Sequence, residues 1–536
     1  MKLVTAQQMQ AIDRRTIDGG LVPALVLMEN AGAALAREAL RLLRRPRGAR
    51  VEILCGKGNN GGDGLVLARL LAREGVRVCV HLCHPATELS SDARANLSRL
   101  RRSKVSINVL KENLAATPAA EPVGRRPRPL LVAADVPGRR DSLASHLVRA
   151  DLCVDALLGT GAARPLAPAY AGLVDLLNRT SRLTLAVDIP TGVDASSGAL
   201  LGTAVWADVT VTFGLPKLGL AFHPGRERAG RIEVADIGFP AEVLGDRQNE
   251  WSWVDPAWAR ALLRPLQPTA HKYSRGTVLM VAGSSRFPGA AALAAEAALR
   301  TGAGMVHLVV PGSIRDLLEV RLREVIIHPC PEDSEGNCTD AVLDLASTLA
   351  KRCDALALGS GIQADDSVRR WMRELLATLA LPAVVDADAL LALPPPPHPA
   401  PRVATPHAGE LARWLGLEAR LDEKERVTTA AAAATRHQVV VVAKGAPSVV
   451  VTPAGEKRVN STGHTGLATA GSGDVLGGML GSLLAQGLEA PPAATLAVYL
   501  HGLAAELACE QSSPRSLLAG DLLPAIGLAY ATLERG

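Results

Sequence analysis

Aromatic residues are scarce in this chain: Phe, Trp and Tyr together make up 3% of its 536 residues. No basic run is interleaved with aromatic residues, which is the arrangement that stacks single-stranded bases. Cysteine is also sparse, with eight residues and no CxxC pair, and this excludes a disulfide framework. The formal net charge is only +5, so we expect the scattered arginines to cover solvated surface and predict no nucleic-acid partner.

Long apolar runs are missing as well. No stretch of about twenty apolar residues is present, and such a length is what a helix needs to cross a bilayer. The N-terminus MKLVTAQQMQAIDRRTIDGG lacks the apolar segment of a secretory signal. We therefore expect a cytoplasmic protein with no membrane partner.

What the chain does have is a repeated rhythm of a short β-branched run, a glycine-rich turn and an Ala/Leu helix. VEILCGKGNNGGDGLVLARLLAREG reads as a strand, a loop and a helix, and GTVLMVAGSS restarts the series after residue 250. This rhythm predicts an α/β protein with doubly wound, Rossmann-like, three-layer domains, in which ligands bind outside the carboxyl ends of parallel strands.

The alternation of strands, turns and helices is interrupted in two stretches of the sequence, and these suggest the domain organisation. We assign residues 1–245 to one domain, 246–264 to a polar, Pro-punctuated linker and 265–536 to a second domain. Residues 101–150 are rich in Pro, Ala and Arg, and they are interpreted as a surface insertion of low order.

The tightest group of potential metal ligands is CVHLCH, which contains Cys79, His81, Cys83 and His84. The surrounding run VRVCVHLCH alternates like a β-strand and would place Cys79, His81 and Cys83 on one face. A metal site needs four converging ligands, and no second cluster in the sequence supports these. The strand interpretation is therefore favoured over a metal site.

The first candidate site begins at GKGNNGGDG (56–64), which follows a strand and opens a helix. Glycines expose main-chain donors there, and side-chain amides and a carboxylate accompany them. Further polar residues follow other strands, and the carboxyl ends of parallel strands meet at one edge of a sheet. Their oxygen donors suit a monovalent cation or a hard divalent ion. These residues are Asp155, Asp188, Thr191 and, with a positive charge, Lys217.

GNNGGDGLV, DALLGTG, VDIPTGVD and TFGLPK resemble the NAD(P)H-hydrate epimerases across nearly all of residues 1–245. The resemblance implies interconversion of the R and S epimers of hydrated NADH and NADPH with a bound K⁺. It implies that Asp188 is the acid/base and that Asn60, Asp155 and Thr191 hold the K⁺. The implied substrate-binding residues are Asn59, Asn60, Gly61, Gly62, Asp63, Gly159, Thr160, Gly161, Ala162, Ala163, Arg164, Pro165 and Asp188.

The second candidate site contains TGLATAGSGDVLGG (465–478), in which glycines and Asp474 open a helix. VVVVAKGAPSVVV places Lys444 at a strand end, where an ammonium group can bind a phosphate. Asp386, Asp388 and His407 follow other predicted strands, although His407 alone is as consistent with a structural helix cap as with a ligand contact. Together these residues describe a phosphoryl-transfer site.

This second set resembles the ribokinase-like superfamily and, with GSSRFPGAAALAAEAALRTGAG, TPHAGE and KGAPS, specifically the NAD(P)H-hydrate dehydratases over residues 265–530. The resemblance implies dehydration of the S hydrate driven by ADP with Mg²⁺, giving AMP and phosphate, with Asp474 as the base. The implied hydrate-binding residues are Ala290, Ala291, Gly361, His407 and Asp474. The implied nucleotide-binding residues are Lys444, Gly445, Ala446, Pro447, Ser448 and Gly473.

Two other functions are compatible with parts of the sequence. A ribokinase-like small-molecule kinase would share Asp474 and its anion-binding turn, with the first domain as a non-catalytic binding or scaffold domain. Domains of the first type also serve as scaffolds in mRNA-decapping assemblies, but such a role would not need Asp155, Asp188 and NNGGDG together. We further expect a homo-oligomer. The residues themselves do not discriminate between ADP and ATP.

Overall fold

Buried β-branched runs form the strands of two sheets in the computed structural model, which describes residues 1–110, 142–245, 250–418 and 421–535. The chain divides into two compact units, one comprising residues 2–249 and the other Glu250–Gly536. Each unit has its own sheet and its own buried core.

Among the described residues of the first unit, seven strands form a wholly parallel sheet in the order β3-β2-β1-β4-β5-β6-β7. The order reverses between β1 and β4, which is where a doubly wound sheet opens a binding crevice. The strands are β1 (Arg50–Cys55), β2 (Arg77–Leu82), β3 (Ser106–Val109), β4 (Leu152–Ala156), β5 (Thr184–Val187), β6 (Val209–Phe213) and β7 (Arg231–Ala235).

Helices cover both faces of this sheet. Ile53 packs into the core on one face, while its neighbour Leu54 belongs to a separate buried cluster on the other, as strand alternation requires. The helices are α1 (Ala6–Ile17), α2 (Ala24–Leu43), α3 (Asn59–Arg73), α4 (Ser91–Leu100), α5 (Leu143–Arg149), α6 (Pro168–Thr180), α7 (Gly225–Ala229) and α8 (Ala241–Leu244).

The sheet of the second unit has ten strands among the described residues, in the order β11-β10-β9-β12-β13-β14-β15-β16-β17-β8. Pairing is parallel except for β15 with β16 and β16 with β17. The strands are β8 (Trp251–Val254), β9 (Thr277–Val281), β10 (Met305–Pro311), β11 (Ile326–Cys330), β12 (Ala355–Leu358), β13 (Ala383–Val385), β14 (Arg402–Ala404), β15 (Val440–Ala443), β16 (Val449–Val451) and β17 (Lys457–Asn460).

Helices cover both faces of the second sheet too. Val278 and Met280 pack into the main core with the long helices, and the alternating residue Leu279 is buried on the opposite face. The helices are α9 (Pro256–Ala261), α10 (Pro288–Arg300), α11 (Arg315–Arg321), α12 (Val342–Ala350), α13 (Asp366–Thr378), α14 (Ala408–Leu415), α15 (Glu423–His437), α16 (Ser472–Ala485), α17 (Ala490–Gln511) and α18 (Ala519–Arg535).

These architectures confirm the predicted fold class. Two details differ from the prediction. The antiparallel β15–β16 pair was not expected, and it arises because the five residues 444–448 are too few for a parallel crossover. The predicted linker is not wholly irregular, since β8 and α9 lie within residues 246–264 and β8 pairs with β17.

The predicted insertion at residues 101–150 falls mostly on residues 111–141, which lie outside the described residues. Its described ends form β3 and α5. Among the described residues, α17 is long and apolar enough to cross a bilayer. However, 72% of its most apolar window is buried inside the protein, so core packing accounts for its composition.

Candidate functional sites

A cleft of about 870 Å³ lies at the carboxyl ends of the central strands of the first unit. The loop after β1, the start of α3, the loop after β4 and the loop after β6 form its walls. The cleft gathers most of the residues predicted to bind the hydrate, as expected for an edge where parallel strands end. Those residues are Asn59, Asn60, Asp63, Gly159, Thr160, Gly161, Ala162, Ala163, Arg164, Pro165 and Asp188.

Asp188 follows β5 and has a left-handed backbone with φ of 65°, a conformation that is costly for a residue with a side chain. Its Oδ1 accepts a hydrogen bond from the ammonium of Lys217 at 2.5 Å. The Thr212 hydroxyl and the Phe213 amide also donate to Oδ1, at 3.2 and 3.3 Å. Because Lys217 is only 1% exposed, this ion pair fixes the carboxylate in a water-poor part of the cleft.

Two further carboxyl groups, Asp13 and Asp63, line the same cleft. Burial, followed by the charge of Asp188, raises the pKa of Asp63 well above its usual range. Burial raises the pKa of Asp13 to about 6, although the nearby Lys217 lowers it. Burial therefore favours the protonated form of Asp13 and of Asp63, which makes both candidates for an acid role in the cleft.

Asp13 was not among the predicted site residues, because it stands on a helix and not in a glycine-rich loop. A signal was nevertheless present. Asp13 is four residues from Met9 and four from Ile17, and all three line the cleft. An acid on the apolar stripe of an amphipathic helix therefore marks the site.

Two of the predicted cation ligands, Asp155 and Thr191, are buried and hydrogen-bonded to each other, and the third, Asn60, lines the cleft. Thr191 donates to Asp155 from its hydroxyl at 2.7 Å and from its amide at 2.8 Å. Burial raises the pKa of Asp155 to about 6, against the effect of these hydrogen bonds. Asn60 lies beside the next loop, since its Oδ1 would be 3.1 Å from a Cβ placed on Gly159.

The side-chain amide nitrogen of Asn60 is buried without a hydrogen-bond partner among the described residues. Amide oxygen and nitrogen are assigned from hydrogen-bond partners, and an orphaned amide is free to present its oxygen instead. With the Asp155 carboxylate and the Thr191 oxygens, this set offers the uncharged and anionic oxygens that a hard cation prefers. The donor set therefore fits the implied ion.

Gly61 and Gly62 were predicted to bind the hydrate, but they do not line the cleft. A Cβ on Gly61 would stand 2.1 Å from the Gly56 carbonyl oxygen, and a Cβ on Gly62 would collide with the Met28 side chain. Both glycines are buried in α3. Their place in the motif therefore reflects the close packing of α3.

The second candidate site forms around the N-terminus of α16. Gly471 has φ of 88°, a conformation that favours glycine, and it turns the chain so that the helix begins at Ser472. The first turn of a helix leaves N–H groups unpaired and favours negative charge. The buried His501 bonds the Ser472 carbonyl through Nε2 at 3.0 Å, which holds this turn in place.

Asp474 lies in the first turn of α16. Burial and the neighbouring Asp386 carboxylate raise its pKa to about 6, while the Ser360 hydroxyl and Lys444 act in the opposite direction. A carboxylate with this pKa is ionised at neutral pH and is still basic enough to accept a proton. Ser360 was not among the predicted site residues, yet its hydroxyl hydrogen-bonds Asp474.

Lys444 contacts two acids. Its ammonium donates to Asp386 at 3.0 Å and approaches Glu410 to 3.4 Å. Burial opposes its charge, but these two carboxylates outweigh burial and raise the pKa of Lys444. A Cβ on Gly473 would lie 3.5 Å from the same ammonium, so the charge of Lys444 reaches the start of α16.

The rest of the predicted nucleotide-binding segment, residues 445–448, forms the tight turn between β15 and β16. A Cβ on Gly445 would collide with the guanidinium of Arg426, which leaves no space for another residue type. Arg426 also donates to the Pro447 carbonyl at 2.9 Å and so fixes the turn. Gly445 and Ala446 remain exposed, and they are accessible to a ligand.

The residues of the second unit that were predicted to bind the hydrate differ in how exposed they are. His407 caps α14, with Nδ1 accepting from the amides of Gly409 and Glu410 at 3.0 and 3.1 Å, so the cap interpretation is the one its contacts support. Its side chain is 60% exposed, and its other ring nitrogen lies 3.5 Å from a carboxylate oxygen of Glu410.

Ala290, Ala291 and Gly361 meet where α10 begins. A Cβ on Gly361, which has φ of 72°, would lie 2.8 Å from the Cβ of Ala290. Ala290 is partly exposed, but Ala291 is fully buried in the main core. Ala291 therefore has no side-chain surface for a ligand, although it was predicted to bind one.

Taken together, these arrangements define a two-domain α/β enzyme, with a carboxylate-lined cleft in one domain and an anion-binding helix start beside an acid in the other. The profile described as YjeF-related protein N-terminus matches residues 24–219, and the profile described as NAD(P)H-hydrate dehydratase matches residues 278–527. The chain belongs to the family of bifunctional NAD(P)H-hydrate repair enzymes. This confirms the identification of an epimerase domain and a dehydratase domain.

Relatives match over the whole length. The chain is 38% identical to a bifunctional NAD(P)H-hydrate repair enzyme of Moorella thermoacetica, over 100% of this chain and 97% of the relative. It is 39% identical to one of Salinibacter ruber, over 98% and 95%. Among solved structures, an ADP/ATP-dependent NAD(P)H-hydrate dehydratase from Bacillus subtilis, co-crystallised with ATP/Mg²⁺, is 30% identical with a TM-score of 0.46, and the match covers 52% of this chain and 98% of that one.

Proposed function

We propose that residues 1–245 epimerise R and S NAD(P)H hydrates in the cleft around Asp188, and that residues 265–536 dehydrate the S epimer with ADP at Asp474. The observation that supports this most is the pairing of each acid with a lysine, the buried Lys217 beside Asp188 and the partly buried Lys444 near Asp474. The proposal rests on the membership of the family and on these two geometries.

Epimerisation requires water to leave the hydrated ring carbon and to return on the opposite face. The lone pair of the ring nitrogen expels the hydroxyl once that oxygen is protonated, and re-addition needs a base to take a proton from water. Asp188, held by Lys217, is suited to the base role, and Asp13, whose pKa is raised by burial to about 6, is suited to the acid role. The residues from Gly159 to Pro165 and Asn59 bind the dinucleotide.

Asn60, Asp155 and Thr191 would hold the K⁺ of the first domain. The ion supplies positive charge and a fixed anchor for the adjoining loop. The proton transfers themselves are assigned to the side chains of the cleft.

Dehydration begins when Asp474 removes the proton from the hydrate hydroxyl as that oxygen attacks the terminal phosphorus of ADP. The bond between that phosphorus and the bridging oxygen breaks, and AMP leaves. The N–H groups at Gly473 and its neighbours, with Lys444, stabilise the charge on the phosphoryl oxygens. The ring nitrogen then expels phosphate, and loss of a proton from the adjacent ring carbon restores the double bond.

Mg²⁺ would accompany the nucleotide and neutralise its phosphate charge. Asp386 lies beside Lys444 at the phosphate end of the site and is the acid best placed to take part in that charge balance. Gly361, Ala290 and the exposed part of the His407 ring would contact the hydrate. The expected homo-oligomer and the cytoplasmic location stay predictions.

The deciding experiment uses a mixture of R and S NADH hydrates, with the full-length protein, K⁺, Mg²⁺ and ADP. Recovery of the reduced-nicotinamide absorbance for the whole mixture is expected, because epimerisation keeps supplying the S form. Recovery that stops when the S form is used up would contradict the epimerase assignment. A stable phosphorylated product without NADH would favour the small-molecule kinase alternative instead.

The pH profile of dehydration tests the base. With saturating ADP, we expect kcat/KM for the S hydrate to fall about tenfold per pH unit below about pH 6, because protonated Asp474 cannot accept the proton. Above that pH the rate should level off. Binding of ADP, measured separately over the same range, controls for titration of its phosphate. A rate that stays constant down to about pH 5 would contradict this role of Asp474.

Replacing Asp13 tests the acid. We expect Asp13→Asn to slow epimerisation by about 10²-fold, because an amide cannot protonate the leaving hydroxyl. The loss should be largest below about pH 6, where Asp13 is protonated in the wild type, and dehydration of pure S hydrate should not change. Asp18→Asn, an exposed acid at the end of the same helix, is the matched control. A uniform loss in both variants would indicate a structural effect.

A further inference from the structure

A second group of chemically active side chains lies in the first unit, apart from the cleft. Glu52 stands on β1, Cys79 and His81 on β2, and His146 on α5. One ligand atom from each lies within 4.8 Å of every other. Glu52 and Cys79 face each other in the strand register, and the alternating residue Ile53 belongs to the main core on the other face.

Glu52, Cys79 and His81 are buried, and contacts join the members of the group. His81 Nε2 lies 2.7 Å from Glu52 Oε2, and His146 Nδ1 lies 3.5 Å from the other carboxylate oxygen. His81 is 2% exposed, yet its Nδ1 has no hydrogen-bond partner in the part of the chain that the structure describes. The side-chain amide of Asn108 donates to the sulfur of Cys79 at 3.3 Å. Such donors are typical neighbours of metal-bound thiolates.

We propose that Glu52, Cys79, His81 and His146 bind one borderline-soft divalent cation of the Zn²⁺ class. Two imidazoles, one thiolate and one carboxylate make four ligands, the number that tetrahedral Zn²⁺ requires. When the cation binds, the S–H bond of Cys79 breaks, a metal–sulfur bond forms and the proton passes to solvent. The two negative ligands then balance the two positive charges, which a buried site needs.

The location indicates a structural role. The cation would tie the neighbouring strands β1 and β2 to α5. The side chain of His146 is 31% exposed, so it offers the route of entry. The oxygen donors predicted for K⁺ include no sulfur or imidazole, and this chemical difference separates the two sites.

Cobalt(II) provides the test, because a thiolate–cobalt bond and tetrahedral geometry both have characteristic absorption. The full-length protein, free of an affinity tag and treated with a chelator, is titrated with Co²⁺. We expect a thiolate-to-cobalt charge-transfer band and intense visible bands that saturate at one Co²⁺ per chain, and Zn²⁺ should remove both. If the titration gives no charge-transfer band and shows just the weak spectrum of six-coordinate cobalt, the proposal is overturned.

Two cysteine variants make the test specific. Cys79→Ser should lose the charge-transfer band, whereas Cys83→Ser, four residues along and outside the group, should keep it. The reverse result would overturn the assignment. Because Cys79 is buried, its replacement could impair folding, so circular dichroism of each variant is compared with that of the wild type.

The partly exposed His146 provides a second, safer variant. His146→Ala should fold and should weaken Co²⁺ binding by about tenfold or more, since one of four ligands is lost. Addition of Zn²⁺ should raise the melting temperature of the wild type, because a ligand that binds only the folded state stabilises it. The same addition should raise that of His146→Ala less. Equal affinities and equal shifts would overturn the proposal.

Discussion

Replacing Asp474 with asparagine should reduce dehydration of the S hydrate by about 10³-fold or more, while epimerisation continues at the wild-type rate. An amide has the same shape but cannot take the hydroxyl proton, and removal of a positioned base costs about 10² to 10⁴ in rate. The first turn of α16 and the charge of Lys444 remain, so ADP should still bind. The measurement is single-turnover recovery of reduced nicotinamide from pure S hydrate.

The chain supplies its own control for this variant. Interconversion of the R and S hydrates, followed without nucleotide, reports the other domain of the same preparation. Asp366→Asn is the matched substitution in the second unit, since that side chain is 94% exposed. Asp474→Asn with more than about a tenth of the wild-type rate would contradict the base assignment, whereas loss in both variants would point to damaged folding.

The carboxyl-end residues of both sheets could be predicted because parallel strands impose their arrangement. A β-branched run that ends in an acid or a glycine loop predicts both the strand and the edge where that acid lies. Asp188 was found this way, whereas Asp474 was found from the glycine-rich start of a helix. The lysines were found as strand-end charges, but their distances to Asp188 and Asp386 depend on side-chain packing that no local pattern contains.

The presence of a residue in a motif predicted ligand contact less well than its position at the end of a strand. Gly61, Gly62 and Ala291 share motifs with residues that line a cleft or a helix start, yet each is buried for packing. A small residue is selected equally by a nearby ligand and by a nearby backbone, and the sequence does not distinguish these causes. The structure distinguishes these causes, because it gives the distance from a Cβ added at each glycine to the neighbouring atoms.

The sequence also did not predict which residues far apart in the chain come together in one site. Asp13 enters the cleft from α1, which is far in sequence from the loops that form the other walls. The Cys79 and His81 pair was correctly placed on one strand face, but Glu52 lies on another strand and His146 on a helix. From the sequence, the four ligands that a metal site needs could not be assembled, because Glu52 and His146 are single residues with no motif around them.

Asp188→Asn should have the largest effect on the first domain, lowering epimerisation by about 10³-fold. With the mixed hydrates and ADP, NADH should be recovered quickly from the S fraction. The R fraction should then be recovered only at the rate of uncatalysed epimerisation. Pure S hydrate should be dehydrated as fast as by the wild type. Asp175→Asn, which removes one partner of an i,i+4 surface pair on α6, is the matched control.

Asparagine is the informative choice at this position. Lys217 is almost fully buried, and alanine would leave its ammonium with two hydrogen-bond partners among the described residues, the Thr212 hydroxyl and the Phe213 carbonyl. An unpaired buried charge destabilises a protein strongly, so lost activity in Asp188→Ala would not separate chemistry from folding. The asparagine carbonyl still accepts from Lys217, so an inactive variant with a wild-type melting temperature would identify proton transfer as the missing function. An active one would assign that transfer to Asp13 or Asp63.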